Sequence, residues 1–370
     1  MKFTCEKYLL TSAVSIASRA SASKSPIPAL EGLLIEAGND IRITGYDLKK
    51  GIYTSFQADI AEPGSIVLDT KLFGDIVRSL PDGIVTVSVE NNNLTTIKCG
   101  ASDFSIIGIS ADDYPELPVV EDQENVTIPQ NTLKKMIGET IFAVSTNESR
   151  PVYTGILFEI ADGYLTLVAV DGFRLAMRRE ELDSSPANNF SFIVPGNSLS
   201  ELEKICSDTD DEVNITLGSK HILFNMGNTV LISRRLEGDF INYRKSISNN
   251  FAVKVVIQRN ELARVVERVS LIMDTKTVNP VRFIFNDNII DINCITSLGK
   301  AYDSCSMEGS GNGLEIGFNN KYMLDAVKNA PSDNLMLCLN SSSTPCIIKP
   351  EDENDSFLYM ILPVRLRAEG

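Results

Sequence analysis

Along most of this chain apolar and polar residues alternate in short runs, and six times the alternation gives way to a helical spacing. In residues 3–20, FTCEKYLLTSAVSIASRA, a short alternating run passes through two or three polar residues. It then enters apolar positions at Leu9, Leu10, Ala13, Val14, Ile16 and Ala17, the spacing of an amphipathic helix. VTIPQNTLKKMIGETIFAVS from Val126 and VKVVIQRNELARVVERVSLIM from Val253 have the same form: strand, polar break, helix. Leu9, Leu133 and Leu262 hold matching places, 124 and 129 residues apart. A period of about 120 residues predicts repeated copies of one unit.

The rest of each unit repeats as well. LLIEAGNDIRITGYDLKKGI, ILFEIADGYLTLVAVDGFRLAMRR and VRFIFNDNIIDINCITSLGKAYDS each read as two alternating strands around a tight turn, then a third strand. Gly38-Asn39-Asp40, Asp162-Gly163 and Asn286-Asp287-Asn288 fall where hairpin turns are needed. Asp47 and Asp171 are again 124 apart. A second strand, polar break and helix follow in SIVLDTKLFGDIVRSLPDG, SFIVPGNSLSELEKICSDTDD and LEIGFNNKYMLDAVKNAPSD. Closing strands lie in IVTVSVENNNLTTIKC, EVNITLGSKHILFNM and NLMLCLNSSSTPCIIKP. The expectation is an α+β chain of three similar domains, 1–124, 125–250 and 251–370, each with two helices packed on antiparallel sheets. Polar connectors at 112–125 and 237–250 divide them. GSGNG at 309–313 lacks the following turn and third glycine of a nucleotide fingerprint and reads as a flexible hairpin connection.

Composition narrows the chemistry. The 370 residues are 43% hydrophobic and 22% charged, so every part can form a core. The seven cysteines (5, 99, 206, 294, 305, 338 and 346) contain no CxxC pair, a reduced pattern of small buried hydrophobes. His221 is the single histidine, which rules out a His-cluster metal site and leaves little for His-based acid–base work. No GxxxxGK[ST] loop and no distinctive carboxylate pair occurs, so no catalytic residue, metal or cofactor is expected. Glu6 and Lys7 interrupt an N-terminus that superficially resembles a signal peptide. No stretch reaches eighteen apolar residues, so no membrane span is expected.

A net charge of −15 argues against a nucleic-acid partner until the charges are placed. Arg19, Lys71, Arg78, Lys134, Lys135, Lys204, Arg264, Arg268, Lys321 and Lys328 fall on the six helical segments, and Lys24 follows the first. Acidic residues gather in connectors and turns, among them Asp112, Asp113, Glu116, Asp208, Asp210, Asp211 and Glu212. Two readings stand. The helix charges are ordinary solvated faces, or the repeats align their helices into one basic surface that meets phosphates without reading sequence.

The chain ends on an apolar run, YMILPVRL at 359–366, with four residues beyond it. MKFT at the start, VAVDGFRLA (168–176), GDFINYR (238–244), IGFNNKYMLDAV (316–327) and this terminal run follow one another in the order and spacing of a known family. The chain resembles the bacterial β sliding clamp, the processivity subunit of DNA polymerase III, over essentially its whole length. The resemblance implies the DNA clamp fold and a head-to-tail homodimeric ring, helices lining the hole and sheets forming the outer wall. The ring encircles double-stranded DNA, without sequence preference, in the cytoplasm at the nucleoid.

It further implies a hydrophobic cleft between the second and third domains. There the DNA polymerase III alpha subunit, the clamp loader, and other polymerases and repair proteins dock short linear peptides. Carried over by position, the cleft comprises Tyr153, Val170, Gly172, Phe173, Arg174, Leu175, Ile241, Lys245, Val278, Asn319, Tyr322, Pro345, Met360, Ile361, Leu362, Pro363, Val364, Arg365 and Leu366. An exposed apolar patch rimmed by Arg suits a binding site, and Met360 suits varied partners. The resemblance adds Lys24 and Asn147 to the DNA-facing set, and places Phe104 and Ile106 against Ile272 and Met273 across the dimer interface. Two other classes compete: a repeat-built cytosolic peptide-binding adaptor without DNA, and a carboxylate-based hydrolase, which would need a perturbed carboxylate pair in a cleft.

Overall fold

A computed structural model describes residues 1–121, 124–184, 188–248, 250–273, 280–352 and 356–366. The first repeat holds β1 (Lys2–Glu6), α1 (Lys7–Ala17), β2 (Gly32–Ala37), β3 (Ile41–Tyr46), β4 (Lys50–Phe56) and β5 (Asp59–Glu62). It continues with β6 (Gly64–Asp69), α2 (Thr70–Ser79), β7 (Ile84–Val89), β8 (Leu94–Cys99) and β9 (Ser102–Ile107). The second holds β10 (Glu124–Pro129), α3 (Gln130–Gly138), β11 (Gly155–Ala161), β12 (Tyr164–Val170), β13 (Arg174–Glu181), β14 (Phe190–Pro195), α4 (Gly196–Ile205), β15 (Glu212–Leu217), β16 (His221–Asn225) and β17 (Thr229–Arg234). The third holds β18 (Val253–Gln258), α5 (Arg259–Ser270), β19 (Val281–Thr296), β20 (Gly299–Phe318), α6 (Asn320–Asn329), β21 (Asn334–Leu339), β22 (Cys346–Pro350) and β23 (Phe357–Ile361). Six α-helices on antiparallel strands match the α+β expectation among the described residues.

Two compact units result, 1–132 with 204–235, and 133–203 with 236–370. The first unit contains a five-stranded sheet, β5-β1-β7-β8-β9, and an eight-stranded sheet, β10-β15-β16-β17-β4-β3-β2-β6. The second contains a ten-stranded sheet, β14-β11-β12-β13-β23-β22-β21-β18-β20-β19. Sheets therefore cross repeat boundaries: β17 pairs with β4, and β23 pairs with β13. In the first unit Leu10, Ala13 and Val14 of α1 and Phe73, Ile76 and Val77 of α2 pack with Leu33, Ile35, Ile41 and Ile43 in one core. In the second, α5 buries Leu262, Val265, Val266 and Val269, and α6 buries Met323, Ala326 and Val327.

Five expectations are corrected. No polar break separates strand from helix: α1 to α5 each begin on the residue after a strand, and α6 only one residue later. At α2, α5 and α6 the polar residue at the corner is instead the helix cap. Asp69 Oδ1 accepts from Leu72 N at 2.7 Å, Gln258 Oε1 from Glu261 N at 2.6 Å, and Asn319 Oδ1 from Lys321 N at 2.9 Å. An extended residue with a side-chain acceptor satisfies first-turn N–H groups while turning the chain from pleat to helix.

Asn286-Asp287-Asn288 is not a hairpin turn, and GSGNG is not a hairpin connection. Both lie within the long β19–β20 ribbon, opposite each other, where the register slips between Phe285, Asp287 and Ile289. Asn288 has φ +58° and Gly309 φ +116°, a bulge that bends the ribbon without ending it. A Cβ on Gly311 would lie 2.1 Å from Phe285 Cβ, so glycine is there for close approach. The Asp162–Gly163 turn is as expected, with both residues at positive φ and Ala161 paired with Tyr164. Finally, Glu124 and Asn125, read as connector, already belong to β10, and Arg19 lies in a short 3-10 turn (Ser18–Ala20) just past α1.

Each repeat also ends alike. After its last strand the chain returns to the strand that precedes the second helix, in the bridges Val67↔Ile109, Ile193↔Leu236 and Gly317↔Val364. The apolar C-terminal run is the third copy of a segment that, in the first two, leads on as a connector.

Candidate functional site

The turn Asp171–Phe173 joins β12 to β13 and fixes the site. Asp171 Oδ1 accepts from Phe173 N at 2.9 Å and Arg174 N at 3.0 Å, and Gly172 sits at φ +94°, where a side chain would be strained. Asp171 Oδ2 accepts from Arg174 Nε at 2.9 Å, and Arg174 Nη1 reaches Asp325 Oδ2 of α6 at 2.6 Å. The guanidinium also lies 4.4 Å from the Tyr322 ring centre and 5.5 Å from that of Phe142. Arg174 is buried. A buried Arg with two carboxylates and two rings is a rigid fastening of turn to helix, so Arg174 supports the patch from below and does not rim it.

β23 then adds to β13, with Arg174 opposite Ile361 and Leu175 opposite Met360. Alternation sorts its side chains. Tyr359 and Ile361 are fully buried on one face, and on the other Leu358 and Met360 are also buried, in a cluster with Val170, Leu175, Tyr243 and Ile347 that forms the floor of the site. Leu362 N donates to Phe173 O at 2.9 Å, and past Pro363, Val364 N donates to Gly317 O at 2.8 Å. A Cβ on Gly317 would meet Val364 O at 2.5 Å and Leu366 Cδ2 at 2.8 Å. The terminal run is thus pinned by backbone pairing at both of its ends.

What reaches solvent is a short apolar surface. Phe173 is 59% exposed and stacks on Tyr322 at 6.2 Å, and Ile241 is 43% exposed. Tyr153, half-buried, meets Phe240 edge-on at 5.8 Å. Asn319 caps α6 and accepts from Tyr322 N at 3.3 Å, which sets where Tyr322 starts. Burial, reinforced by the Asp171 charge, pushes the Tyr322 phenol above its ordinary pKa despite Arg174. Pro345, Leu362, Pro363, Val364 and Leu366 are half-buried, and Lys245 and Arg365 are exposed. Ile361 lies on the opposite, buried face. Val278 falls outside the described residues.

The sequence reading missed how the covering segment is held. Tyr243 Oη donates to Glu159 Oε2 at 2.8 Å, and Arg244 Nη1 and Nη2 grip both Glu159 oxygens at 2.9 and 2.6 Å. Burial pushes the Glu159 carboxyl up, but these hydrogen bonds and the Arg244 charge outweigh it and hold the group below the ordinary range. The signal was present in GDFINYR, but its acceptor lies 84 residues upstream of Tyr243.

The helix cations divide differently from the rest of the chain. The six α-helices hold eleven Lys and Arg against six Asp and Glu, a net of +5 in a chain of −15, leaving −20 elsewhere. Lys71 and Arg78 on α2, and Lys321 and Lys328 on α6, are seven apart, two turns along one face, and all four are exposed. Arg264 and Arg268 are four apart on α5 and exposed, as are Lys24, Lys135, Asn147 and Lys204, while Arg19 and Lys134 are half-buried. Among these cations Arg78 pairs with Asp75, Arg268 with Asp303 and Lys328 with Glu267, which partly neutralises them.

Two of the sheet edges carry exposed apolar side chains. β9 ends the five-stranded sheet with Phe104 and Ile107 exposed, the latter 72%, while Ile106 packs on the core. β19 ends the ten-stranded sheet with Ile289 and Ile295 exposed. Ile272 and Met273 are half-buried beside Leu271, which is 83% exposed. Ile107 and Leu271 were not singled out from sequence: Ile107 is the last residue of β9, and Leu271 lies one residue past α5.

The match to known proteins spans the chain. Family models of the DNA polymerase III beta subunit match residues 1–118 (N-terminal domain), 127–242 (central domain) and 244–365 (C-terminal domain). The beta sliding clamp of Bacillus subtilis (strain 168) is 32% identical over 378 residues, 99% of this chain and all of that protein. A crystal structure of the Bacillus subtilis sliding clamp superposes with a TM-score of 0.94 at 31% identity, covering 99% of this chain and 100% of that one. A Pseudomonas aeruginosa sliding clamp crystallised bound to griselimycin superposes with a TM-score of 0.94 at 27% identity, with the same coverage.

Proposed function

This chain belongs to the DNA polymerase III beta subunit family and is a DNA sliding clamp, and from that premise we propose that two copies close head to tail into a ring around duplex DNA. The three domains take residues 1–124, 125–250 and 251–370. The ring tethers the replicative polymerase alpha subunit, the clamp loader, and other polymerases and repair proteins through peptides docked on the Phe173–Met360 surface. It works in the cytoplasm, at the nucleoid, and makes or breaks no bond itself.

The observation that carries this reading is the charge partition: helices of net +5 in a chain of −15. Diffuse, unspecific phosphate contacts hold DNA weakly enough to slide, and the acidic remainder repels it elsewhere. The DNA-facing residues are Arg19, Lys24, Lys71, Arg78, Lys134, Lys135, Asn147, Lys204, Arg264, Arg268, Lys321 and Lys328. The open β9 edge, with Phe104 and Ile106, meets the β19 edge and the Ile272–Met273 segment of a second copy. Two different surfaces then close the ring, and pairing also protects two apolar edges from random association.

Topology is the test. The labelled protein is loaded onto a nicked circular plasmid by a clamp loader, free protein is removed by gel filtration, and the DNA is cut once. Retention on the circle with loss from the linear form is the expected result. Equal retention on both, or none, would favour an adaptor without DNA.

A further inference from the structure

The first unit contains a near-copy of the Phe173–Met360 site, and there the chain's own connector lies in it. Asp47 repeats Asp171: its Oδ1 accepts from Lys49 N at 2.9 Å and Lys50 N at 2.8 Å, and its Oδ2 pairs with Lys50 Nζ at 2.9 Å. Leu48, at φ +69°, stands where Gly172 does. Arg234 N donates to Lys49 O at 2.8 Å, as Leu362 N does to Phe173 O at 2.9 Å. Gly51 pairs with Ile232 across β4–β17 as Leu175 pairs with Met360 across β13–β23. Ala22 N donates to Leu30 O at 2.9 Å, as Ser145 N does to Tyr153 O at 2.8 Å. Leu30, Tyr46, Gly51 and Ile232 are therefore the counterparts of Tyr153, Val170, Leu175 and Met360.

One difference decides what each copy can accept. Gly51 leaves open the space that the Leu175 side chain fills, and Leu117 occupies it: a Cβ on Gly51 would lie 2.3 Å from Leu117 Cδ2. Leu117 and the buried Tyr114 join Leu30, Tyr46 and Val67 in a separate apolar cluster. The segment Tyr114–Leu117 is extended past a short 3-10 turn and sits as a docked peptide would.

Its hold is weaker than that of the second connector. Glu36 is the counterpart of Glu159, by the pairings Glu36↔Ser65 and Glu159↔Ser191. Glu159 is gripped by Tyr243 and Arg244, whereas the first connector presents Asp112 and Glu116 to the cavity that Glu36 lines. That cavity, about 640 Å³, also holds Arg42, and the Tyr114 hydroxyl turns instead to Thr44 O at 3.3 Å. Apolar insertion and the Tyr114–Thr44 hydrogen bond hold the segment down, with Arg42 set among the carboxylates of that cavity.

We propose that the β4–β17 junction is a second peptide groove, occupied in cis by Tyr114–Leu117, and that an extended partner peptide with a leucine-type anchor binds it once that segment is displaced. The inference rests on the reading of the Phe173–Met360 surface as a peptide site. The test titrates full-length protein calorimetrically with a synthetic peptide carrying the clamp-binding segment of the cell's replicative polymerase. Wild type is expected to take one peptide per chain and Leu117→Ala two, the new site being lost on adding Ile232→Lys. Leu117→Met, which refills the space, should return to one. Leu117→Val, a milder truncation that retains the fold, should show the second site at higher peptide concentration. One site in wild type and still one in both truncations would overturn the second groove while leaving the first intact. No binding to wild type would instead overturn the peptide reading of the Phe173–Met360 surface.

Discussion

Single side chains here act mainly as fastenings. Arg174 is buried among Asp171, Asp325, Tyr322 and Phe142. Removing it leaves two carboxylates without their counter-charge, so Arg174→Ala is expected to lose about 3–5 kcal/mol of unfolding free energy by urea titration. Peptide affinity should fall with it, because the platform under Phe173 and Tyr322 is removed. Glu159 offers a pH test. Its folded pKa lies below the ordinary value, so its contribution is present above the unfolded pKa and fades as pH falls through the folded one. Because Arg244 is largely exposed, Glu159→Gln should cost only about 1 kcal/mol at pH 7. Urea titrations of the two proteins should converge as pH falls below the ordinary glutamate value and through the lowered folded one. The Asp171 turn was legible because its residues are adjacent in sequence. The Arg174–Asp325 contact, 151 residues apart, was not.

At the scale of elements, the repeats made the helices readable and the ribbon unreadable. Amphipathic spacing marked α1 to α6 because each buries one stripe of its own residues. In β19–β20, Asn and Gly clusters looked like turns, yet the same residues serve a bulge, and only the partner strand distinguishes the two. The terminal segment gives a direct prediction. Gly317→Ala would push a methyl to 2.5 Å from Val364 O and lift the 362–366 run. Peptide affinity should drop roughly tenfold, about 1.4 kcal/mol, with the melting temperature changed by only a few degrees. Deleting residues 362–370 should abolish peptide binding and leave the dimer intact in sedimentation.

For the whole molecule, assembly and charge are what count. Ile272→Ala with Met273→Ala should sediment mostly as monomer at low micromolar concentration, and an intact dimer would refute that interface. Reversing Arg264 and Lys321 to Glu should shorten residence on circular DNA. It should also flatten the salt dependence of loading, by about one unit of log–log slope for each phosphate that is no longer neutralised.

By itself the sequence determined the threefold repeat, the strand–helix order and the separation of charge between helices and connectors. All three are local patterns, written into spacing and composition. It also carried the family resemblance, since whole blocks keep their order. Only the tertiary structure decided that sheets cross repeat boundaries, that Arg174 supports and does not rim the surface, and that Leu117 fills what Gly51 leaves empty. Those depend on which distant strands share hydrogen bonds and which side chains compete for one volume, and neither has a local signature in the chain.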